Sequence, residues 1–394
     1  MRCYKHLSYE EIARHTSSSS RPGVKIRLVE LARAMAAYYE VYVLDWRAVQ
    51  GRYTFAKRIS VTVNDVFKFS SSRISGNISF VEFSTLHRPI AAARMWNRYF
   101  LKRFINKNNI DIVINGSYYL FSVSKNRSFN PDSEIGLRTG FKYIIDLADL
   151  PPQEPEYKYV DDFTRQEALK SEAVTTASLS LAGYVANKYG KQASFIPNGI
   201  SLSKIRKIGQ DEIISLRKYL GIVERHIVGY VGYIGDWVDV ELAVNAFHIF
   251  QKNVPKAVLL WIGNAPDLGS MKNRYASRDI LFIGPVEKNI ELYFRAIDTG
   301  LIPMIKSPFQ DMAFHLKLIG YTAAQKPVVS AKLNECMSLR FPNVLFAEND
   351  ANEWAKMLEI AKSMTWKDEW DAMADSFDWE KISGKLYSLI EKAV

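Results

Sequence analysis

The chain has 394 residues, 48% of them hydrophobic and 24% charged, and 52 Lys and Arg against 42 Asp and Glu leave it at +10. That length exceeds the ~250–300 residues at which one core stops growing, so two domains are expected, and the composition excludes a largely disordered chain. Cys3 and Cys336 form neither a disulfide framework nor a metal-ligand pattern, no apolar run approaches the ~18 residues of a membrane span, and residues 1–16 lack the apolar stretch of a secretory signal, so a soluble, cytoplasmic protein is expected.

Residues 24–39 (VKIRLVELARAMAAYY) space Ile26, Val29, Leu31, Ala34 and Met35 helically, and 40–46 follow as a buried strand. Residues 47–107 then hold 12 basic residues against Asp65 and Glu82 alone. Such a field attracts lipid headgroups, phosphates or nucleic acid, unless it is only a solvated face. Residues 78–83 (ISFVEF) are strand-like. In the helical stretch 89–107, Arg94, Arg98 and Lys102 recur every four residues beside Arg103, and Trp96 lies among Met95, Tyr99, Phe100, Phe104 and Ile105. This is the pattern of a membrane or acceptor surface, with cations on anionic lipid and rings among headgroups; the alternative is a helix packed on its own sheet.

Residues 110–116 and 141–152 (FKYIIDLADLPP) read as strands, the second ending in Asp146, Asp149 and two prolines that stop regular structure. A helix over about 161–173 follows, and Ser178 is placed to cap the helix holding Leu181 and Val185. Pro197, Asn198 and Gly199 mark a turn-forming linker. Beyond it, strands at 226–234, 257–263, 280–284, 300–304, 326–331 and 343–347 alternate with helices such as 239–253. The expected architecture is α/β: two Rossmann-like, doubly wound domains, 1–200 and 201–376, facing a cleft at the C-terminal ends of their sheets. Helix N-termini there favour anionic ligands. A final helix, 377–394, carries Trp379, Ile382, Leu386, Leu389 and Ile390 on one face and is expected to return to the first domain.

Four segments carry a resemblance to the GT-B glycosyltransferases, in particular the retaining family 4 (group 1) enzymes. FIPNGIS (195–201) resembles the family's "IPNGVD" linker, and VGYVGYIGDWVDVELAVNAF (228–247) its donor-domain opening in the variant "GYxGxxxxWxDxEL". HLKLIGYTAAQKPVVSA (315–331) is similar to "PxKxxEYxAxGKPVV", and YIIDLADLPP (143–152) to "YDxxDDLP". The segments fall in order across about residues 20–390. The resemblance implies transfer of a sugar from a nucleotide-sugar to a glycan or lipid-linked acceptor, with retention, in surface polysaccharide synthesis, and with no metal or other cofactor. The basic segment points to a location at the inner face of an anionic membrane, and the lack of a recognised nucleic-acid-binding module to no nucleic-acid partner.

On the donor side it points to Gly232, Gly235, Asp236 and Trp237 in the first loop, Gly263 at the next strand end, and Lys306, Asp311, His315, Leu316 and Lys317 around a helix start. There, cation and dipole together would hold phosphate. Gly23, in the Pro22-Gly23 turn that opens the first helix, adds a backbone contact. On the acceptor side Asp146 and Asp149 stand where a catalytic or sugar-binding carboxylate belongs, or else cap the following loop. Two positions depart from the family: Gly320 replaces a ribose-binding glutamate, and Tyr233 stands where an arginine is usual. A non-catalytic binding relative, a nucleotide-sugar 2-epimerase and a basic nucleic-acid-binding protein are the alternatives.

Overall fold

A computed structural model describes residues 22–48, 70–75, 77–85, 102–115, 141–151, 153, 158–286 and 288–393. Most of the basic segment, including Arg94, Trp96 and Arg98, therefore lies outside the described residues. The chain divides into two compact units. Unit 1 comprises residues 1–176, 182–196 and 383–394; unit 2 comprises 177–181 and 197–382.

Unit 1 opens with α1 (Pro22–Met35), β1 (Val41–Ala48), β2 (Ser70–Ser75) and β3 (Ile78–Thr85). β1 pairs in parallel with β3, Val41 opposite Ile78, whereas β2 runs antiparallel to β3. This sheet is therefore mixed: the short return from Ser75 to Ile78 leaves no room for the crossover that parallel strands need. Residues 102–107 are helical, with Lys102 and Arg103 exposed and Ile105 buried. A second sheet, all parallel, follows the order of β4 (Ile112–Asn115), β5 (Lys142–Leu147), β6 (Ala173–Thr176) and β7 (Ser194–Phe195). Tyr143, Ile144, Ile145 and Leu147 of β5 are buried, as suits a strand covered on both faces.

Helix α2 (Lys158–Lys170) precedes β6, and α3 (Leu179–Tyr184) follows it and runs into a π-turn, Val185–Tyr189. The Tyr184 and Tyr189 hydroxyls both donate to Asp161 of α2, and Lys188 Nζ lies 2.6 Å from the same carboxylate, which fixes the wide turn in place.

Unit 2 is one six-stranded parallel sheet, built from β8 (His226–Val231), β9 (Ala257–Ile262), β10 (Ile280–Gly284), β11 (Thr299–Ile302), β12 (Val328–Ala331) and β13 (Val344–Ala347). Its order is β10-β9-β8-β11-β12-β13. The chain therefore winds outward from β8 to β10, then crosses back to β11. The reversal between β8 and β11 is the switch point at which such sheets receive ligands. All six residues of β9 are buried, which explains its unbroken apolar run.

Among the helices of unit 2 are α4 (Gln210–Tyr219), α5 (Val240–Asn253), α6 (Ile290–Ala296), α7 (Pro308–Met312), α8 (Leu316–Ala323), α9 (Asn334–Ser338) and α10 (Ala351–Ser363). In α5, Ala243, Val244, Phe247 and Phe250 face the core at helical spacing, each Phe contributing about 1.5–3 kcal/mol. Asp239 starts this helix by accepting the Leu242 N–H at 2.9 Å.

The Pro197-Asn198-Gly199 linker is explained by packing within unit 2. A Cβ on Gly199 would lie 2.6 Å from the Trp379 ring, and the Ile200 N–H donates to Phe377 O at 2.9 Å. Trp379 opens the last helix, α11 (Trp379–Ala393), whose residues from Ser383 onward belong to unit 1. There Tyr387 stacks on Tyr38 with centroids 4.2 Å apart, and Tyr39 donates to Glu391 at 2.6 Å.

Candidate functional site

The switch point of unit 2 is held open by a buried hydroxyl. β8 and β11 pair only at Thr299–Val228 and Gly300–Gly229. Beyond that, Tyr321 of α8 accepts the Val231 N–H at 3.0 Å and has Gly229 O at 3.0 Å and Leu301 O at 3.3 Å as acceptors. Backbone groups of both strands are satisfied through one side chain, and the strands part at their C-terminal ends. Burial raises the Tyr321 pKa, so the hydroxyl keeps its proton. Tyr321 follows Gly320 in the KxxGY segment that carried the resemblance.

Two glycines line the opening. Gly232 ends β8 at φ +143° and Gly263 ends β9 at φ +149°. A Cβ on Gly263 would stand 1.8 Å from Gly232 O, and one on Gly232 would stand 3.2 Å from Lys317 Cε. No side chain fits at Gly263, so the backbone is left bare where the strands end.

Lys317 sits in the first turn of α8, half-buried, with Nζ 5.2 Å from the centre of the Tyr230 ring. Among the described residues no carboxylate lies within 4.0 Å of it. Burial pulls its pKa down to about 8, against a smaller upward pull from Cys336. Lys317 is thus an ammonium at a helix N-terminus, facing bare backbone, with no counter-ion. Such an arrangement is chemically suited to receive an anion.

His315 has a different place. It is buried, its Nε2 donates to Gln310 O at 3.1 Å, and burial together with Lys317 pushes its pKa down to about 3. It is uncharged near neutrality and anchors the loop before α8, so the positive charge at that helix start comes from Lys317. Leu316, half-buried, is the first residue of the helix. Asp311 accepts the Asn334 N–H at 2.9 Å and lies 3.9 Å from Lys306 Nζ, which also donates to Lys332 O at 3.2 Å. These two residues tie loops together rather than presenting free groups.

In the first loop, Trp237 lies on Gly235, where a Cβ would come within 2.7 Å of its ring, and its carbonyl accepts the Ile305 N–H. Tyr233 and Trp237 are 46% and 45% exposed with centroids 5.8 Å apart, and Asp236 between them is also exposed. At Gly320, a Cβ would meet the Phe294 ring at 2.5 Å. An aromatic from α6 fills the space into which a side chain there would extend.

The acceptor-side expectation is corrected at one of its two carboxylates. Asp146, at the end of β5, is 2% exposed and Arg27 of α1 is 1% exposed. Arg27 Nε donates to Oδ2 at 2.8 Å and Nη2 to Oδ1 at 2.6 Å, while Thr175 Oγ1 donates to Oδ1 at 2.6 Å. Both oxygens are saturated away from solvent, so Asp146 positions α1 against β5 and β6 rather than serving as a catalytic base. Asp149, two residues past β5, is half-buried. Gly23 is the second residue of α1.

Sequence reasoning missed Glu335. Buried in α9, it accepts the Leu179 N–H at 3.0 Å and the Ser180 N–H at 2.7 Å, and so caps the first turn of α3 within unit 2. Ser178 caps the same turn as expected, accepting the Leu181 N–H at 3.0 Å, and donates to Met312 O.

Comparison with known proteins bears on this geometry. Residues 225–361 match the family of glycosyl transferases group 1. A stretch of 128 residues is 30% identical to TuaH of Bacillus subtilis (strain 168), provisionally named a teichuronic acid biosynthesis glycosyltransferase; it covers 32% of this chain and spans 31% of that relative's length. Among solved structures, HepE of Anabaena in complex with UDP superposes with a TM-score of 0.68 at 16% identity, covering 96% of this chain and 98% of the other. A glycosyltransferase of Rickettsia africae superposes with a TM-score of 0.71 at 14% identity, covering 94% and 95%. The chain has the GT-B fold, and its second unit carries the group 1 glycosyl transferase sequence pattern.

Proposed function

We propose that the chain is a nucleotide-sugar-dependent glycosyltransferase whose donor diphosphate rests against Gly232 and the first turn of α8. The observation that carries this reading is the uncompensated Lys317 ammonium at that helix start. During transfer the bond from the anomeric carbon to the β-phosphate oxygen breaks, a bond to an acceptor hydroxyl oxygen forms, and the hydroxyl's proton passes to the departing phosphate oxygen. Negative charge develops on the nucleoside diphosphate as it leaves. Lys317 and the α8 dipole are placed to stabilise that charge, with no metal in the scheme. Fixed donors in a partly desolvated site cost no reorganisation as the charge develops, which is why such groups accelerate the step.

The match to the group 1 family and the UDP-bound structural neighbour support uridine diphosphate as the first donor moiety to test. Asp149 is the remaining carboxylate on the acceptor side. Retention of configuration and a glycan or lipid-linked acceptor in surface polysaccharide synthesis are supported by the resemblance and by the teichuronic acid relative. Peripheral attachment at the cytoplasmic face of an anionic membrane is supported by the 12 basic residues between 47 and 107. Vesicle co-sedimentation that requires acidic lipid and fades with salt is expected; equal binding to neutral vesicles would remove that part.

A melting-temperature screen against UDP, GDP, ADP and CDP, followed by hydrolysis of the matching nucleotide sugars, tests the whole reading. At about 100 times its dissociation constant the right nucleotide stabilises the fold by ~2.7 kcal/mol. No shift with any of the four, and no hydrolysis, would contradict it.

A further inference from the structure

The loop that leaves β8 presents two aromatic rings to solvent beside the donor opening, and the rest of that loop is fastened down. Ile234 is fully buried, and its N–H donates to Asn264 O at 2.8 Å, past the end of β9. Val238 bridges to Met304, and the Asp239 N–H donates to Pro303 O at 2.7 Å. The Ile305 N–H donates to Trp237 O at 2.9 Å, so the chain leaving β11 holds the far end of the loop. At the near end the Tyr230 hydroxyl donates to Tyr233 O at 2.8 Å.

Apolar side chains scattered singly over a surface are ordinary. Here Tyr233, Trp237 and Ile305, each close to half exposed, occur together on one preformed loop. Gly235 packs against the Trp237 ring and fixes it. Gly232 joins the pair of rings to the donor opening: a Cβ there would stand 3.2 Å from Lys317 Cε and 3.5 Å from the Tyr230 hydroxyl. Tyr233, standing where an arginine is usual, thus adds a ring rather than a second cation. Asp236, between the rings in sequence, is exposed, and among the described residues no Lys or Arg nitrogen lies within 4.0 Å of its carboxylate.

Ring faces carry partial negative charge and attract C–H groups, while a carboxylate accepts from hydroxyls and repels phosphate, anionic lipid and nucleic acid. A sugar ring offers both partners, a face of C–H groups and a rim of hydroxyls. We infer that Tyr233, Asp236 and Trp237 form a subsite for an uncharged sugar ring, adjoining the diphosphate cradle at Gly232 and Lys317. This rests on the donor-site reading above. The ring belongs either to the donor's sugar or to the acceptor's.

Saturation-transfer NMR on the full chain, with methyl glucoside, galactoside and mannoside, reads sugar binding without any nucleotide. Tyr233→Ala and Trp237→Ala should each weaken the binding about fivefold or more. Trp237→Phe, which keeps a ring on Gly235, should retain most of it. Each glycoside should bind wild type more tightly than its uronide does, and Asp236→Asn should erase that difference without changing the melting temperature. A purely structural loop would not respond to ligand charge. Calorimetry with UDP, UDP-glucose and UDP-galactose separates the two sources. Affinity lost in Tyr233→Ala for the nucleotide-sugars but not for UDP assigns the donor's sugar; loss confined to the methyl glycosides assigns the acceptor's. The assignment is overturned if glycosides bind wild type and both alanine variants equally. It is equally overturned if no glycoside binds and the variants change UDP-sugar affinity no more than UDP affinity. Either result with UDP still bound leaves the donor reading standing, whereas sugar bound with no nucleoside diphosphate removes the donor reading alone.

Discussion

Two cations, Arg27 in unit 1 and Lys317 in unit 2, are held in opposite ways. In unit 1, Arg27 and Asp146 are buried together and satisfy each other through two hydrogen bonds, with Thr175 adding a third. In unit 2, Lys317 stands over an aromatic ring, and among the described residues no carboxylate lies within 4.0 Å of it. A closed pair contributes to the architecture, since removing either member strands the other in a dry interior. An open cation contributes little to the fold and remains available to an anion from outside. The contrast assigns roles to residues that a motif alone leaves ambiguous.

The contrast breaks most visibly at its closed end. Asp146→Ala leaves Arg27 buried and alone and should cost about 3–5 kcal/mol of stability in denaturant unfolding. Replacing both partners with apolar residues of similar volume should recover much of that loss. A near-neutral single mutant would show that the pair is solvated, and would return Asp146 to the list of possible catalytic groups.

Next in size is Gly263→Ala. Its φ of +149° and the 1.8 Å approach to Gly232 O mean that the ends of β8 and β9 must separate. Strain and displacement together should cost roughly 3 kcal/mol and remove nucleotide binding. Retained binding with an unchanged melting temperature would show that the bare backbone is not the cradle.

The smallest effect is with pH. Lys317 titrates near 8 when free, and a diphosphate favours its charged form. Affinity should therefore be level below pH 8 and fall above it, by up to about tenfold (~1.4 kcal/mol) per unit. Calorimetry at pH 7, 8 and 9 reads this directly; affinity that rises with pH would place the binding charge elsewhere.

Much of this was legible in the sequence where the signal is local. β9 and β10 announce themselves as apolar runs between turns, Asp239 and Ser178 cap the helices their positions suggest, and Lys317 lies in the first turn of a strongly apolar helix. β2 (SSSRIS) and β6 (AVTT) escaped because one is polar throughout and the other only four residues long. The roles of Asp146 and Glu335 were illegible for a different reason. Arg27 lies 119 residues from Asp146, and Leu179 lies 156 from Glu335, so no local pattern connects them. His315 shows the same limit: a histidine beside a phosphate-type helix start reads as a second cation until its burial and its bond to Gln310 are known.

The central claim is that Lys317 holds the donor diphosphate, and calorimetric titration of wild type and Lys317→Ala with UDP, or with whichever nucleoside diphosphate stabilises the chain most, tests it most directly. The account predicts affinity weakened by roughly 1.5–3 kcal/mol, the range for a charge-assisted contact, with a melting temperature no lower than that of wild type. An unchanged dissociation constant would remove Lys317 from the donor site and contradict the account.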